Sequence, residues 1–287
     1  MALEDFRADA MRCTRCSYCK WIPFSLVKSW EFSKGCPSVD YNNFHNYSGG
    51  GRLLTMLSLM DGRSEVTDQV VDIAYKCQLC GNCDVTCKVC RYDMEPLAGI
   101  REFRRTLNEQ GHVPATYPAI IARFRESGNL FGVSQARRAN WADGLGLKQL
   151  GAGGVDKTEI VFHAGCRYSF EPSLKTAVRA AASVLKRAGV DFALDSAEGC
   201  CGGKPYDMGY REDFAEMAKA NLARWSAAGV KTVVTPCATC FHTFTRLYPE
   251  IGSTVKVLHT VQLVDRLIKD GSLKLTKSVP MTVTYHD

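Results

Sequence analysis

No apolar run in the chain reaches the roughly 18 residues that a membrane-spanning helix needs. The first ten residues, Met1 to Ala10, lack both the basic and the apolar stretch of an export signal. The expected compartment is therefore the reducing cytoplasm, with any membrane attachment made through partner subunits. Blocks of like charge are also missing. The formal charge of +6 divides as +3 up to Lys157 and +3 beyond it, so there is no concentrated basic patch for nucleic acid. Paired catalytic carboxylates, a nucleophile elbow and a dinucleotide fingerprint cannot be assigned. The run Ser48-Gly49-Gly50-Gly51-Arg52 has no preceding strand and no closing Gly-Lys-Ser/Thr, which makes it a turn into a helix and not a phosphate loop. Flavin or nicotinamide chemistry must then come from other subunits.

Cysteine is abundant, with 14 in 287 residues. A chain of this length buries about three quarters of its unfolded surface and needs no disulfide staples. In a reducing compartment, cysteines at short spacings read as metal sites.

The composition divides the chain. Residues 1–127 read as helices around two cysteine groups: one helix over Gly51 to Met60, one over Ser64 to Tyr75, and a third capped by Asp93, with Pro96 in its first turn and Gly111 at its end. Residues 128–157 are rich in Gly and polar residues and read as a linker. Residues 158–278 alternate strand and helix, which predicts an α/β layer with a mainly parallel sheet. Most of the cysteines there fall where strands end, the place where such sheets gather ligands. The segment Thr282-Val-Thr-Tyr-His286 echoes Glu159-Ile-Val-Phe-His163, so residues 279–287 read as the start of a second repeat in a chain that stops short. The fold class expected is α + α/β.

The first cysteine group is Cys13-x2-Cys16-x2-Cys19, with Cys36-Pro37 further on. The second is Cys77-x2-Cys80-x2-Cys83-x3-Cys87. Three thiolates on a short turning segment reach three irons of a [4Fe-4S] cubane, and the fourth iron takes a distant cysteine, so paired motifs exchange their fourth ligands. This assigns Cys13, Cys16, Cys19 and Cys87 to one cubane, and Cys77, Cys80, Cys83 and Cys36 to the other. Zinc is the alternative, but it needs two pairs per site and leaves the third cysteine of each triplet unexplained. Two features depart from the usual pattern: 16 residues separate Cys19 from Cys36, and Lys88 stands where a second Pro is expected. Cys90 is left over as a spare thiol able to replace Cys87.

The third group is Cys166, then Cys200-Cys201-Gly202-Gly203, then Cys237-x2-Cys240, separated by 33 and 35 residues. Five thiolates exceed what one zinc or one cubane uses. This pattern resembles the signature of the CCG domain, the cysteine-rich domain of heterodisulfide reductases. The resemblance implies a non-cubane [4Fe-4S] cluster held by Cys166, Cys200, Cys201, Cys237 and Cys240. His163 reads as a packed strand residue outside the ligand set.

A helical two-cluster ferredoxin domain followed by CCG domains resembles the D subunit of heterodisulfide reductase and its relatives, among them the iron–sulfur subunits of glycolate and glycerol-3-phosphate oxidising complexes. The resemblance implies an electron-transfer subunit of a multi-subunit redox complex. Its partners would be a flavoprotein, such as an electron-transfer flavoprotein or the flavin subunit of heterodisulfide reductases, or a quinone-linked subunit. Direct disulfide reduction would require a second complete CCG domain.

Overall fold

A computed structural model of the chain describes all residues except Met1, Tyr92, Ala152 and 285–287, together with the side chains of all but Cys90 and Arg91 among the rest. The expected role of Cys90 therefore lies outside the described residues, as does the end of the repeat echo. Residues 279–284 carry no regular secondary structure. The chain divides into two compact units.

The first unit comprises residues 1–121 and 204–214. Its helices are α1 (Arg7–Arg12), α2 (Pro37–Asn42), α3 (Gly49–Met60), α4 (Asp68–Tyr75), α5 (Asn82–Arg91) and α6 (Pro96–Glu109), followed by α7 (Tyr117–Ser127), which runs past residue 121. The Ser48 hydroxyl caps α3 by accepting the Gly51 N–H at 3.0 Å, and the Thr67 hydroxyl caps α4 through Val70 N–H at 3.4 Å. These helices are too short to stand alone and are held by burial of one face each. Leu53 and Met56 of α3, Val70 and Ala74 of α4, and Phe103 and Leu107 of α6 meet Phe6 and Met94 in one core.

Asp93 does not cap α6. It pairs with Arg12 at the surface, and the Leu97 N–H of the first turn of α6 donates instead to Asp84 Oδ1 at 2.7 Å. The insertion between Cys19 and Cys36 forms two 3-10 turns, at Phe24–Leu26 and Trp30–Ser33, closed by an antiparallel bridge between Trp21 and Lys34. It leaves Trp21, Phe24, Leu26, Trp30 and Phe32 exposed.

The second unit comprises residues 122–203 and 215–287. Its parallel sheet has five strands: β1 (Lys148–Gln149), β2 (Ile160–Phe162), β3 (Ala193–Leu194), β4 (Thr232–Thr235) and β5 (Lys256–His259), in the spatial order β1-β3-β2-β4-β5. The helices between strands are α8 (Gly165–Phe170), α9 (Lys175–Arg187), α10 (Gly203–Asp207), α11 (Arg211–Ala228) and α12 (Ala238–His242), and α13 (Thr260–Lys269) follows the last strand; of these, α10 from Lys204 on and the start of α11 through Phe214 belong to the first unit. The chain passes from β2 to β3 on one side and then crosses to β4 on the other, which makes the carboxyl end of β2 a topological switch point.

Residues 128–157, expected as a linker, are part of this unit. They supply β1, in register with Ala193 and Leu194, and Trp141 and Ala142, which pack with Phe162, Val178 and Phe192. The glycines that suggested a linker are turn positions, with positive φ at Gly128, Gly132, Gly144, Gly146, Gly151 and Gly153.

Candidate metal centres

Both cysteine triplets of the helical unit are shaped by the same backbone device. In the first, the residues on either side of Cys16 are left-handed, Arg15 at φ 58° and Ser17 at φ 69°; in the second, so are those on either side of Cys80, Leu79 at φ 54° and Gly81 at φ 80°. Left-handed residues alternating with ordinary ones turn successive N–H groups inward and form concave nests for anionic groups. Three non-glycine residues in this region cost on the order of 1–3 kcal/mol each, and such strain collects at binding sites. The Leu79 N–H points at Cys77 Sγ (3.4 Å), and the Gly50 N–H at the start of α3 points at Cys19 Sγ (3.4 Å).

The structure brings Cys87 to the first triplet. Burial pushes its thiol up to about 12, and the next causes are the charges of Cys19, Cys13 and Cys16. Cys36 stands with the second group: it lines one cavity with Cys77, Cys80 and Cys83, and Cys19 also borders that space. Burial raises the Cys36 and Cys83 thiols. The two groups are close, since Cys83 interacts with Cys19 and Cys87 as well as with Cys77.

A Cβ built on Gly49 would lie 2.6 Å from Cys83 Cβ, and one on Gly50 would lie 3.1 Å from Cys13 Sγ. The Gly run that opens α3 is therefore needed for close approach to both triplets. Thiols crowded in this way repel once ionised, and burial penalises the thiolates of Cys13, Cys36, Cys83 and Cys87, so the set is suited to a cationic iron core that offsets part of their charge. Among the described residues, no three His, Cys, Asp or Glu side chains are drawn tightly enough around one point to hold a single ion. Ligands of a cubane each bind a different iron and stand further apart than ligands of one ion.

In the second unit, Cys166 follows β2, Cys200 and Cys201 follow β3, and Cys237 follows β4, all at the carboxyl ends of three adjacent parallel strands. Five sulfurs form one hydrogen-bonded chain: Cys166 to Cys200, Cys200 to Cys201, Cys201 to Cys240 and Cys240 to Cys237. All are buried except Cys237, which is half-buried. The bond from Cys200, with help from Arg138 against the cost of burial, lowers the Cys166 thiol to about 6, and the bond from Cys240 lowers Cys237 to about 7. Gly202 donates its N–H to Cys200 Sγ at 3.5 Å.

Gly165 has φ +77°, and a Cβ there would meet Cys240 Sγ at 2.8 Å. Gly165→Ala is expected to cost about 1–3 kcal/mol from the backbone alone and to displace Cys240. Anaerobic urea unfolding with iron analysis checks both effects, and a variant with unchanged midpoint and iron content would contradict them.

Two residues beside these sulfurs, Arg138 and Glu198, are not legible as site residues. Arg138, from the segment expected as a linker, places Nη2 3.9 Å from Cys166 Sγ and donates to Gly199 O at 2.8 Å. Its Nε lies 3.3 Å from Glu198 Oε1, and Glu198 Oε2 lies 2.7 Å from His163 Nδ1, all within the buried interior. Burial opposes the Arg138 charge, but Glu198 and the neighbouring sulfurs outweigh it and hold the guanidinium charged. His163 is fully buried, edge-on to Phe244 with ring centroids 4.8 Å apart, as a packed strand residue should be.

The families matched agree with these sites. Residues 9–90 match the 4Fe-4S dicluster domain and residues 160–245 match the cysteine-rich domain. The chain is 29% identical over 214 residues to the EtfAB:quinone oxidoreductase of Syntrophomonas wolfei, covering 72% of this chain and 30% of that protein. It is 25% identical to the probable iron-sulfur-binding oxidoreductase FadF of Bacillus subtilis, covering 74% of this chain and 31% of that one. Against the D subunit of the dihydromethanophenazine:CoB--CoM heterodisulfide reductase of Methanosarcina mazei it is 28% identical over 290 residues, covering 96% of this chain and 67% of the relative. The chain thus spans about a third of the length of the first two relatives. No solved structure matches it. The chain thus carries a 4Fe-4S dicluster domain and a cysteine-rich domain, and is similar along nearly its whole length to the D subunit of the methanogen reductase.

Proposed function

We propose that the chain is an electron-transfer subunit of a multi-subunit redox complex, with two [4Fe-4S] cubanes in the helical unit and one non-cubane [4Fe-4S] cluster in the α/β unit. Cys13, Cys16, Cys19 and Cys87 would hold one cubane, Cys36, Cys77, Cys80 and Cys83 the other, and Cys166, Cys200, Cys201, Cys237 and Cys240 the third cluster. What supports this reading is that Cys87 stands beside the first triplet and Cys36 beside the second, with a separate chain of five sulfurs in the other unit. Such clusters, when bound, take up and pass on single electrons.

The chain's own residues do the rest. Buried Cys19, Cys166, Cys200, Cys201 and Cys240 keep the sites away from water, and exposed Cys16 and Cys80 bring the edge of each cubane site to the surface where a partner can exchange electrons. The similarity to the EtfAB:quinone oxidoreductase and to the D subunit of heterodisulfide reductase supports a flavoprotein or a quinone-linked subunit as that partner. No helix among the described residues is long and apolar enough to cross a membrane.

The test is anaerobic purification followed by iron and sulfide analysis and an EPR-monitored redox titration. Three separate paramagnetic centres are expected, one with an atypical g pattern. Colourless protein with zinc and no inorganic sulfide would overturn the reading.

A further inference from the structure

Two arginines of the helical unit are buried with no carboxylate among their hydrogen-bond acceptors. Arg52 on α3 is 1% exposed and Arg104 on α6 is 4% exposed. Arg52 donates to Ile73 O (2.7 Å), to Tyr47 O and to Ser38 Oγ (2.8 Å). Arg104 donates to the carbonyls of Ala74 (3.1 Å), Tyr75 (3.0 Å), Cys77 (2.6 Å) and Asp207 (3.0 Å). All of these acceptors are neutral. The Asp207 carboxylate is bound by Arg101 at 2.9 Å.

Ile73, Ala74 and Tyr75 end α4, so part of the task of both arginines is to satisfy the open carbonyls of a helix terminus. That terminus carries the equivalent of about half a negative charge. Two cations against it leave roughly one and a half positive charges out of water, and buried charge needs a counter-charge.

Among the described residues the Asp207 carboxylate acts on Arg104 but is already paired with Arg101, and no carboxylate accepts a hydrogen bond from either arginine. Asp84, held by the Leu97 N–H, places its Oδ1 3.8 Å from Cys83 Sγ, and its carboxyl is raised by burial. The missing anion lies on the sulfur side. Arg52 lines the same cavity as Cys36, Cys77, Cys80 and Cys83, and Arg104 grips the backbone of Cys77 itself. A cubane with four thiolates carries about −2 when oxidised and gains one more negative charge on reduction.

The geometry points to Arg52 and Arg104 as the counter-charges of the cluster held by Cys36, Cys77, Cys80 and Cys83, and we infer that they favour its reduced form and make it the higher-potential cubane of the pair. This rests on the ligand sets proposed above. The cations near the first group are placed differently: Arg15 is exposed, and Arg12 is exposed and paired with Asp93, so water and salt screen both.

The experiment is an EPR-monitored redox titration of the anaerobically purified full chain and of Arg52→Gln, Arg52→Lys, Arg104→Gln and Arg104→Lys. Each Gln variant is expected to lower the one-electron reduction constant of one cubane about tenfold, which is about 59 mV, and to leave the other cubane in place. Each Lys variant keeps the charge and should restore most of the shift, which a purely structural capping role would not do. Unchanged potentials with intact clusters, equal shifts of both cubanes, or a Lys variant as displaced as its Gln counterpart would overturn the inference. Should the Gln variants lose the cluster, the Lys variants decide: a retained potential supports a role in charge, and a lowered potential or a lost cluster overturns it. Wild-type protein without iron and sulfide is a different result, because it removes the ligand sets beneath the inference.

Discussion

Cys201→Ser is expected to lose about four of roughly twelve irons, with a matching fraction of inorganic sulfide, while the two cubane signals persist. Cys201 is the middle of the five-sulfur chain, bonded to Cys200 on one side and Cys240 on the other, and it is buried. Taking it out separates the pair Cys166 and Cys200 from the pair Cys237 and Cys240. A serine oxygen is a harder and weaker ligand for iron than a thiolate. Its hydroxyl would also sit where nothing replaces the lost bonds. Iron and sulfide assays with EPR of dithionite-reduced and oxidised protein measure the outcome. Full iron content in the variant would remove Cys201 from the ligand set, and loss of all three signals together would show that the sites do not assemble separately.

Arg138→Met is expected to destabilise the α/β unit by about 3–5 kcal/mol, the usual cost of leaving one partner of a buried ion pair alone. Met fills much of the volume and removes only the charge and the donors. What remains is Glu198, beside His163 at 2.7 Å and out of contact with water. The carboxylate must then protonate, draw in water or open the structure. Removing its charge as well should relieve this, so Arg138→Met with Glu198→Gln ought to be more stable than Arg138→Met alone. Anaerobic urea unfolding of the four proteins gives the coupling directly. A cost below about 1 kcal/mol for the single variant would contradict the loss expected from breaking a buried ion pair.

Much of the site is legible in the residues alone, because cysteines at short intervals leave few other readings. The convergence of Cys166, Cys200 and Cys237 follows from strand ends in a parallel layer, and the alternating pattern predicts a strand at Thr232 to Thr235, where β4 lies. What escapes is whatever depends on tertiary context. Arg138 sits in a stretch rich in Gly, and nothing local distinguishes a buried arginine from a solvated one. Arg52 and Arg104 look like ordinary helix-surface residues until α4 is seen to end against them. Left-handed backbone at Arg15, Ser17 and Leu79 has no compositional mark, and only Gly81 hints at it. Asp93 reads as a helix cap because Asp is a good one, but a surface partner, Arg12, outcompetes that role.

The eleven residues Lys204–Phe214 bear on how the protein is made. They belong to the helical unit, where Asp207 binds Arg101 and accepts from Arg104 through its carbonyl, and Gly209 approaches the Arg104 backbone so closely that an added Cβ would meet its carbonyl oxygen at 2.5 Å. During synthesis the helices that precede residue 122 emerge first, yet their last piece leaves the ribosome only after a long stretch of the other unit has followed. No single cut in the gene releases both units whole. A clone ending at residue 121 would leave Arg104 short of one carbonyl and Arg101 short of its acid.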